Sequence, residues 1–155
     1  MNLNENYEIQ AIINPLLEKK AWDVRLGVGS FITMNFGNPN PKSNKENKIS
    51  GEWYLWVYMC GWRLEKQNQF IAGCEDSRKK LEKDVKLMEG LAIKSIEILP
   101  YFGDTTIYFD QEVILRLFAI YSQDDEIWQL FTPDGNVLSI QTCNIWSVQP
   151  SNLEY

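Results

Sequence analysis

The sequence predicts an α+β fold, mostly antiparallel β-sheet, with two main α-helices. Three observations predict it. Only two stretches repeat apolar residues at helical spacing, within 9–17 and 81–88. Most of the remainder is short alternating runs bounded by Gly, Pro, Asn and Asp. The chain of 155 residues is 45% apolar and 23% charged, a globular composition long enough to bury one core.

The elements follow in order. Ile9, Ile12, Ile13, Leu16 and Leu17 mark a first helix, which Pro15 must kink or restart, with Asn14-Pro15 as cap and first turn of a segment to Lys20. Residues 22–26 and 30–36 read as strands around Gly27 and Gly29. The second alternates Ile32, Met34 and Phe36 against Thr33 and Asn35. Residues 37–50, rich in Asn, Pro, Lys and Ser, read as a long basic connecting loop. Residues 52–65 give the strongest strand signal. Trp53, Leu55, Val57 and Met59 would share one face, and Tyr54, Trp56, Tyr58 and Cys60 the other. With both faces apolar, this strand is either covered on both sides or carries an exposed aromatic platform. Gly61 marks a turn or bulge within it.

Residues 77–89 form the second helix. Asp76 or Ser77 caps it, Leu81, Val85 and Met88 face the core, Glu82 can pair with Lys86, and Gly90 ends it. Its Arg78, Lys79, Lys80, Lys83 and Lys86 read as a solvated face. Strands over 92–99, 105–109, 112–121, 127–132 and 136–140, joined by turn residues, then read as an antiparallel meander, with a frayed tail after Pro150. Trp53-x-Leu55-Trp56 before Gly61-x-x-Leu64 resembles Trp128-x-Leu130-Phe131 before Gly135-x-x-Leu138. A single domain over 1–155 could therefore be a duplication of 8–66 and 77–140, with two similar β layers about a pseudo-twofold axis.

Composition narrows the chemistry. The chain has no His, so Ser-His or Cys-His nucleophiles and His-ligated metals are excluded. Gly27-Val28-Gly29 lacks the third glycine and following helix of a phosphate loop. Cys60, Cys74 and Cys143 form no CxxC pair and are one thiolate short of a Cys-only zinc site. With the polar start of the chain, they fit a reduced, cytoplasmic setting rather than a disulfide framework. No apolar run reaches the length of a membrane span. No cofactor motif is present. Asp104, Asp110, Glu112, Asp124, Asp125, Glu126 and Asp134 are the remaining catalytic option, but nearly all fall at turns, where Asp serves the backbone. The formal net charge of −6 disfavours nucleic acid and favours a basic partner.

The segments 27–33, 52–65, 75–78 and 132–138 (Gly-Val-Gly-Ser-Phe-Ile-Thr, Glu-Trp-Tyr-Leu-Trp to Trp-Arg-Leu-Glu, Glu-Asp-Ser-Arg, Thr-Pro-Asp-Gly-Asn-Val-Leu) resemble a family of small uncharacterised bacterial proteins. The resemblance covers most of 14–148 and implies no assigned chemistry. By class analogy it points to immunity proteins of toxin systems.

The expected function is therefore a cytoplasmic, non-enzymatic inhibitor, immunity protein or antitoxin. It would occlude the basic active-site cleft of a toxin or enzyme. The expected contact residues are the acids Glu75, Asp76, Asp124, Asp125 and Glu126, which set association rate and specificity, and the aromatics Tyr54, Trp56 and Trp62. The alternatives are a β domain binding a small molecule in an aromatic-lined pocket beside Trp56 or Trp62, a carboxylate-dependent hydrolase, and a homodimer formed through sheet edges.

Overall fold

The computed structural model describes residues 3–40, 50–123 and 125–151. Among them the chain runs α1 (Leu3–Ile13), β1 (Trp22–Leu26), β2 (Ile32–Pro39), β3 (Gly51–Val57), β4 (Gly61–Lys66), β5 (Gln69–Gly73), α2 (Arg78–Asp84), β6 (Ile93–Ile98), β7 (Thr105–Phe109), β8 (Val113–Phe118), β9 (Glu126–Phe131), β10 (Asn136–Gln141) and β11 (Ile145–Pro150). The strands form two antiparallel sheets, a six-stranded one ordered β1-β2-β3-β9-β10-β11 and a five-stranded one ordered β5-β4-β8-β7-β6. The fold is α+β and mostly β. One continuous core cluster joins the inner faces of both sheets and the buried stripes of both helices.

The helices end in 3-10 turns, Asn14–Leu16 and Val85–Met88. Pro15 lies in the first of these, so it finishes α1 instead of opening a new helix to Lys20, and α1 begins earlier than the apolar spacing implies. The stripe Leu81, Val85 and Met88 is buried as its spacing predicts, and Ser77 caps α2. Glu82 accepts from Arg78 instead of pairing with Lys86, which meets Glu89.

The 52–65 stretch is two strands and not one. The chain leaves the six-stranded sheet after Val57, turns over residues 58–60, and enters the five-stranded sheet at Gly61. Gly61 is needed there: a Cβ would lie 2.4 Å from the Phe118 ring, which rests over its backbone. The expected five-strand meander is likewise divided, with β6-β7-β8 in one sheet and β9-β10 in the other. Strands β5 and β11 extend the two sheets beyond the sequence reading. The expected 37–50 loop lies mostly outside the described residues; its ends meet where Asn40 N donates to Ser50 O. The tail after Ser151 also lies outside them.

The pairing maps carry an internal symmetry. Exchanging β1-β2-β3 with β6-β7-β8, and β9-β10 with β4-β5, converts the six-stranded order, β11 aside, into the five-stranded one. The register follows: Leu55↔Leu130 and Trp56↔Gln129 become Leu115↔Leu64 and Arg116↔Arg63. Ile9, Ile13 and Leu16 match Leu81, Val85 and Met88 at the same spacing, all buried. At the axis the halves pair with each other. Lys20 bridges Ala92, Ala21 N donates to Leu91 O, and Ile93 N donates to Lys19 O. This equivalence differs from the alignment the sequence motifs offer. Trp128 corresponds to Trp62 and not to Trp53, because Trp-x-Leu opens β9 and β4, the strands entered by the two sheet crossings.

Those two tryptophans are the largest fully buried side chains among the described residues. Trp62 Nε1 donates to the Ser30 carbonyl at 2.7 Å. Trp128 Nε1 donates to Thr105 Oγ1 at 2.8 Å, and that hydroxyl donates to the Gly103 carbonyl, the counterpart of Ser30. Each indole thus ties a sheet crossing to the first hairpin turn of its equivalent half. Each half also covers an edge strand of the other: Gln10 on α1 donates to Ile96 O of β6, and Glu89 after α2 accepts from Val24 N of β1.

Thr105→Val is expected to strand the Trp128 N–H and cost about 1–3 kcal/mol. Ser30→Ala, where a backbone carbonyl is the acceptor, should cost under about 0.5 kcal/mol. Urea unfolding of the two variants measures the difference.

Candidate functional site

The solvent-facing side of β3 carries the aromatic platform. Trp53, Leu55 and Val57 point into the core, while Tyr54 and Trp56 alternate outward and remain half-buried. Antiparallel register places Phe131 of β9 opposite Tyr54 and Thr33 of β2 opposite Trp56. Phe31 and Tyr58 close the upper side, where β2 begins and β3 ends. Together with Gly27 and Val28 these residues line an open hollow of about 480 Å³. Its walls are ring against ring. Phe31 lies 4.6 Å from Tyr58, Trp56 lies 4.6 Å from Tyr58 edge-on, and Tyr54 meets Phe131 edge-on at 5.8 Å.

The equivalent face of the other sheet is built differently. Ile114, Arg116, Arg63 and Glu65 stand where Tyr54, Trp56, Gln129 and Phe131 stand. Arg63 and Arg116 face each other across the strands, and Glu65 Oε2 accepts from both, at 2.9 and 2.5 Å. Burial raises the Glu65 carboxyl, but the two arginine hydrogen bonds outweigh it and hold the group below its usual range. One backbone arrangement thus carries an ion ladder on one sheet and a cluster of half-buried and buried aromatics on the other.

A cation holds the rim. Arg78, the first residue of α2, donates Nη1 to the carbonyls of Gly27 and Gly29, both at 2.9 Å, and Nε to Glu82. It fixes the β1–β2 turn that carries Val28, which is 82% exposed. By helical spacing alone Arg78 belongs to a solvated face. Below the rim, burial raises the Tyr54 hydroxyl above the usual tyrosine range, opposed by its hydrogen bond with Thr33.

The expected contact residues distribute as follows. Tyr54 and Trp56 line the hollow. Trp62 does not: at 1% exposure, with its indole nitrogen bonded to Ser30, it is a core anchor, and its assignment as a contact residue is corrected. The crossing at 58–60 turns its ring inward. Glu75 and Asp76 are exposed just before α2, but Asp76 is engaged by the Gly73 N–H and by Lys80, which hold its pKa low. Asp125 and Glu126 are half-buried where β9 begins, with their carbonyls bonded to Thr142 and Met59. Asp124 lies outside the described residues. Registers place Tyr58, Glu126, the 27–31 turn and Glu75 at one end of the sandwich, the end where the chain crosses between sheets. Phe31 and Phe131 were missed in the sequence. Phe131 was readable as the residue alternating with Leu130, but which face it takes depends on the β3–β9 pairing.

The other candidate acids serve the backbone. Asp104 accepts from Ala119 N, Asp110 from Ala92 N and Lys94, and Asp134 from Asn136 N, Asn136 Nδ2 and the Thr132 hydroxyl. Cys60 is buried, which pushes its thiol up to about 12. Among the described residues no three Cys, Asp or Glu side chains gather where a metal could bind, and no helix is long and apolar enough to cross a membrane. No family model, curated protein or solved structure matches the chain.

Trp56→Ala is expected to cost under about 1.5 kcal/mol because its ring is only half-buried, whereas Trp62→Ala should cost about 3–5 kcal/mol. Urea midpoints separate them. Tyr54 should titrate later than a free phenol. A pKa raised on folding means that the contribution is complete below the unfolded value, about 10, and is lost as pH rises through the folded value. Absorbance titration near 295 nm of the protein and of Tyr54→Phe isolates this late step.

Proposed function

We propose that this chain is a cytoplasmic protein-binding module of the inhibitor or immunity class, which holds its partner against the aromatic hollow of the six-stranded sheet. One observation carries the reading: symmetry-equivalent positions hold a self-satisfied Arg-Glu-Arg ladder on one sheet and, on the other, half-buried Tyr54 and Trp56 on the outer face beside a buried Phe131. Large aromatics left at the surface are the side chains that dominate binding energy when a partner covers them. An anchor side chain of the partner would fill the hollow.

The acidic groups supply the second half of the reading. The net charge of −6, with Glu75, Asp125 and Glu126 near the crossing end, favours approach of a basic surface. Such charges raise the association rate more than the affinity, so binding should slow as salt rises. The basic surface would be the cleft of a toxin or enzyme, blocked by the bulk of the sandwich. Free thiols at Cys60, Cys74 and Cys143 suit a reducing compartment.

A second reading has one specific observation in its favour. The hollow of about 480 Å³ is within the size of small-ligand sites, about 300–1,000 Å³. An apolar small molecule would fit those walls.

Photocrosslinking in the native cell, with benzoylphenylalanine at position 56 and at position 116 on the opposite sheet, tests the proposal. A basic protein captured from position 56 and not from 116, with capture weakened by added salt, is the expected result. Capture from 116 alone or from both alike contradicts the placement of the partner on the hollow, and capture from neither contradicts the protein-binding reading.

A further inference from the structure

A second set of exposed apolar side chains shares no residue with the lining of the hollow. The β6–β7 turn exposes Leu99, Tyr101 and Phe102 at 46, 74 and 62%. The end of β8 and the segment after it expose Phe118, Ile120 and Tyr121 at 37, 53 and 46%. The two segments form one knuckle. Asp104 O accepts from Leu99 N and closes the turn, and Asp104 Oδ1 accepts from Ala119 N, tying the second segment to the first. Phe118 and Ile120 lie over the bare Gly61 backbone.

Charge separates the knuckle from an ordinary frayed tip. The described residues of 99–104 and 117–126 include Asp104, Asp125 and Glu126, and no Lys or Arg. Apolar rings beside carboxylates, on two segments that carry no Lys or Arg, complement a surface that is apolar and basic together. A second copy of the chain would bring the same carboxylates face to face, which opposes self-association. The counterpart tip at 27–31 is held by the Arg78 guanidinium, whereas the 99–104 tip is held through Asp104 and the Thr105 hydroxyl. Tyr101 adopts φ of +91°, a strained value for a non-glycine residue that keeps its side chain on an exposed turn.

We infer that this knuckle is a second docking point for the partner, taking a basic segment that carries large apolar side chains. The inference rests on the protein-binding reading, and it identifies the partner's chemistry at a place the hollow does not reach.

The test uses the full ¹⁵N-labelled chain and three synthetic peptides, one alternating Arg and Leu, one with Glu for Arg, and one with Ser for Leu. The Arg-Leu peptide is expected to shift the amides of Tyr101, Phe102, Ile120 and Tyr121. The other two should bind about tenfold more weakly or less tightly still. The triple variant Tyr101→Ser, Phe102→Ser, Ile120→Ser should lose those shifts while its remaining spectrum stays dispersed. If it fails to fold, Phe102→Ser alone replaces it. Equal binding of the Glu-Leu or Arg-Ser peptide overturns the inference. So does a response confined to the indole N–H of Trp56, which would leave the hollow reading standing and remove the knuckle. Concentration-dependent dimerisation abolished by the variant would assign the surface to a second copy and overturn it as well.

Discussion

The two halves of this chain complete each other at a short stretch of backbone. Residues 19–21 and 91–93 exchange hydrogen bonds about the axis, with Lys20 facing Ala92, so neither half finishes its own β-structure alone. From there each half runs through a hairpin, adds a third strand, and crosses to the opposite sheet. The crossings succeed because a buried indole waits on the far side of each. Trp62 and Trp128 fill the same place in their halves and bond the same turn, one directly to a carbonyl and the other through the Thr105 hydroxyl. Burying an indole N–H without an acceptor would be costly, so each ring sets where its turn can lie. The crossings place four segments at one end, and that end holds the candidate binding features.

This arrangement gives a physical comparison that a fold without symmetry would lack. The inner faces of the two halves are nearly interchangeable: Leu55 and Leu115, Leu130 and Leu64, Ile13 and Val85. The outer faces are not. One is closed by Glu65 shared between two facing arginines, an arrangement that satisfies itself in water. The other presents Trp56 and Tyr54 half-covered, with Phe31, Tyr58 and Phe131 packed edge to edge around them. Packing against the core does not by itself explain the difference, because the backbone beneath is equivalent; the contact with a partner proposed above would.

Much of the fold was legible in the sequence, since local rules decided it. The β1 boundaries, the Pro133-Asp134-Gly135 turn, the Ser77 cap and the stripe Leu81, Val85 and Met88 all follow from turn chemistry or from helical spacing. What the sequence hid was non-local. Alternation continues straight through Tyr58, Met59 and Cys60, so nothing local separates one long strand from two strands in different sheets. Only Gly61 marks the place, and its role depends on Phe118, far along the chain. For the same reason Trp62 looked like part of an aromatic platform when it is a core anchor. Tyr54 and Trp56 were legible as outward-facing candidates, while Phe31 and Phe131 joined them only through cross-strand register. Symmetry misled as well: Trp53 and Trp128 share a local motif, but the pairing matches Trp128 with Trp62.

The most direct measurement transplants one outer face onto the other. The variant Tyr54→Ile, Trp56→Arg, Gln129→Arg, Phe131→Glu writes the Ile-Arg-Arg-Glu set of the five-stranded sheet into the hollow, and its affinity is measured for the protein captured from position 56. The account predicts a folded chain, within about 1–2 kcal/mol of the parent, that no longer binds. A folded variant that binds as before would contradict it, and so would a variant that cannot fold.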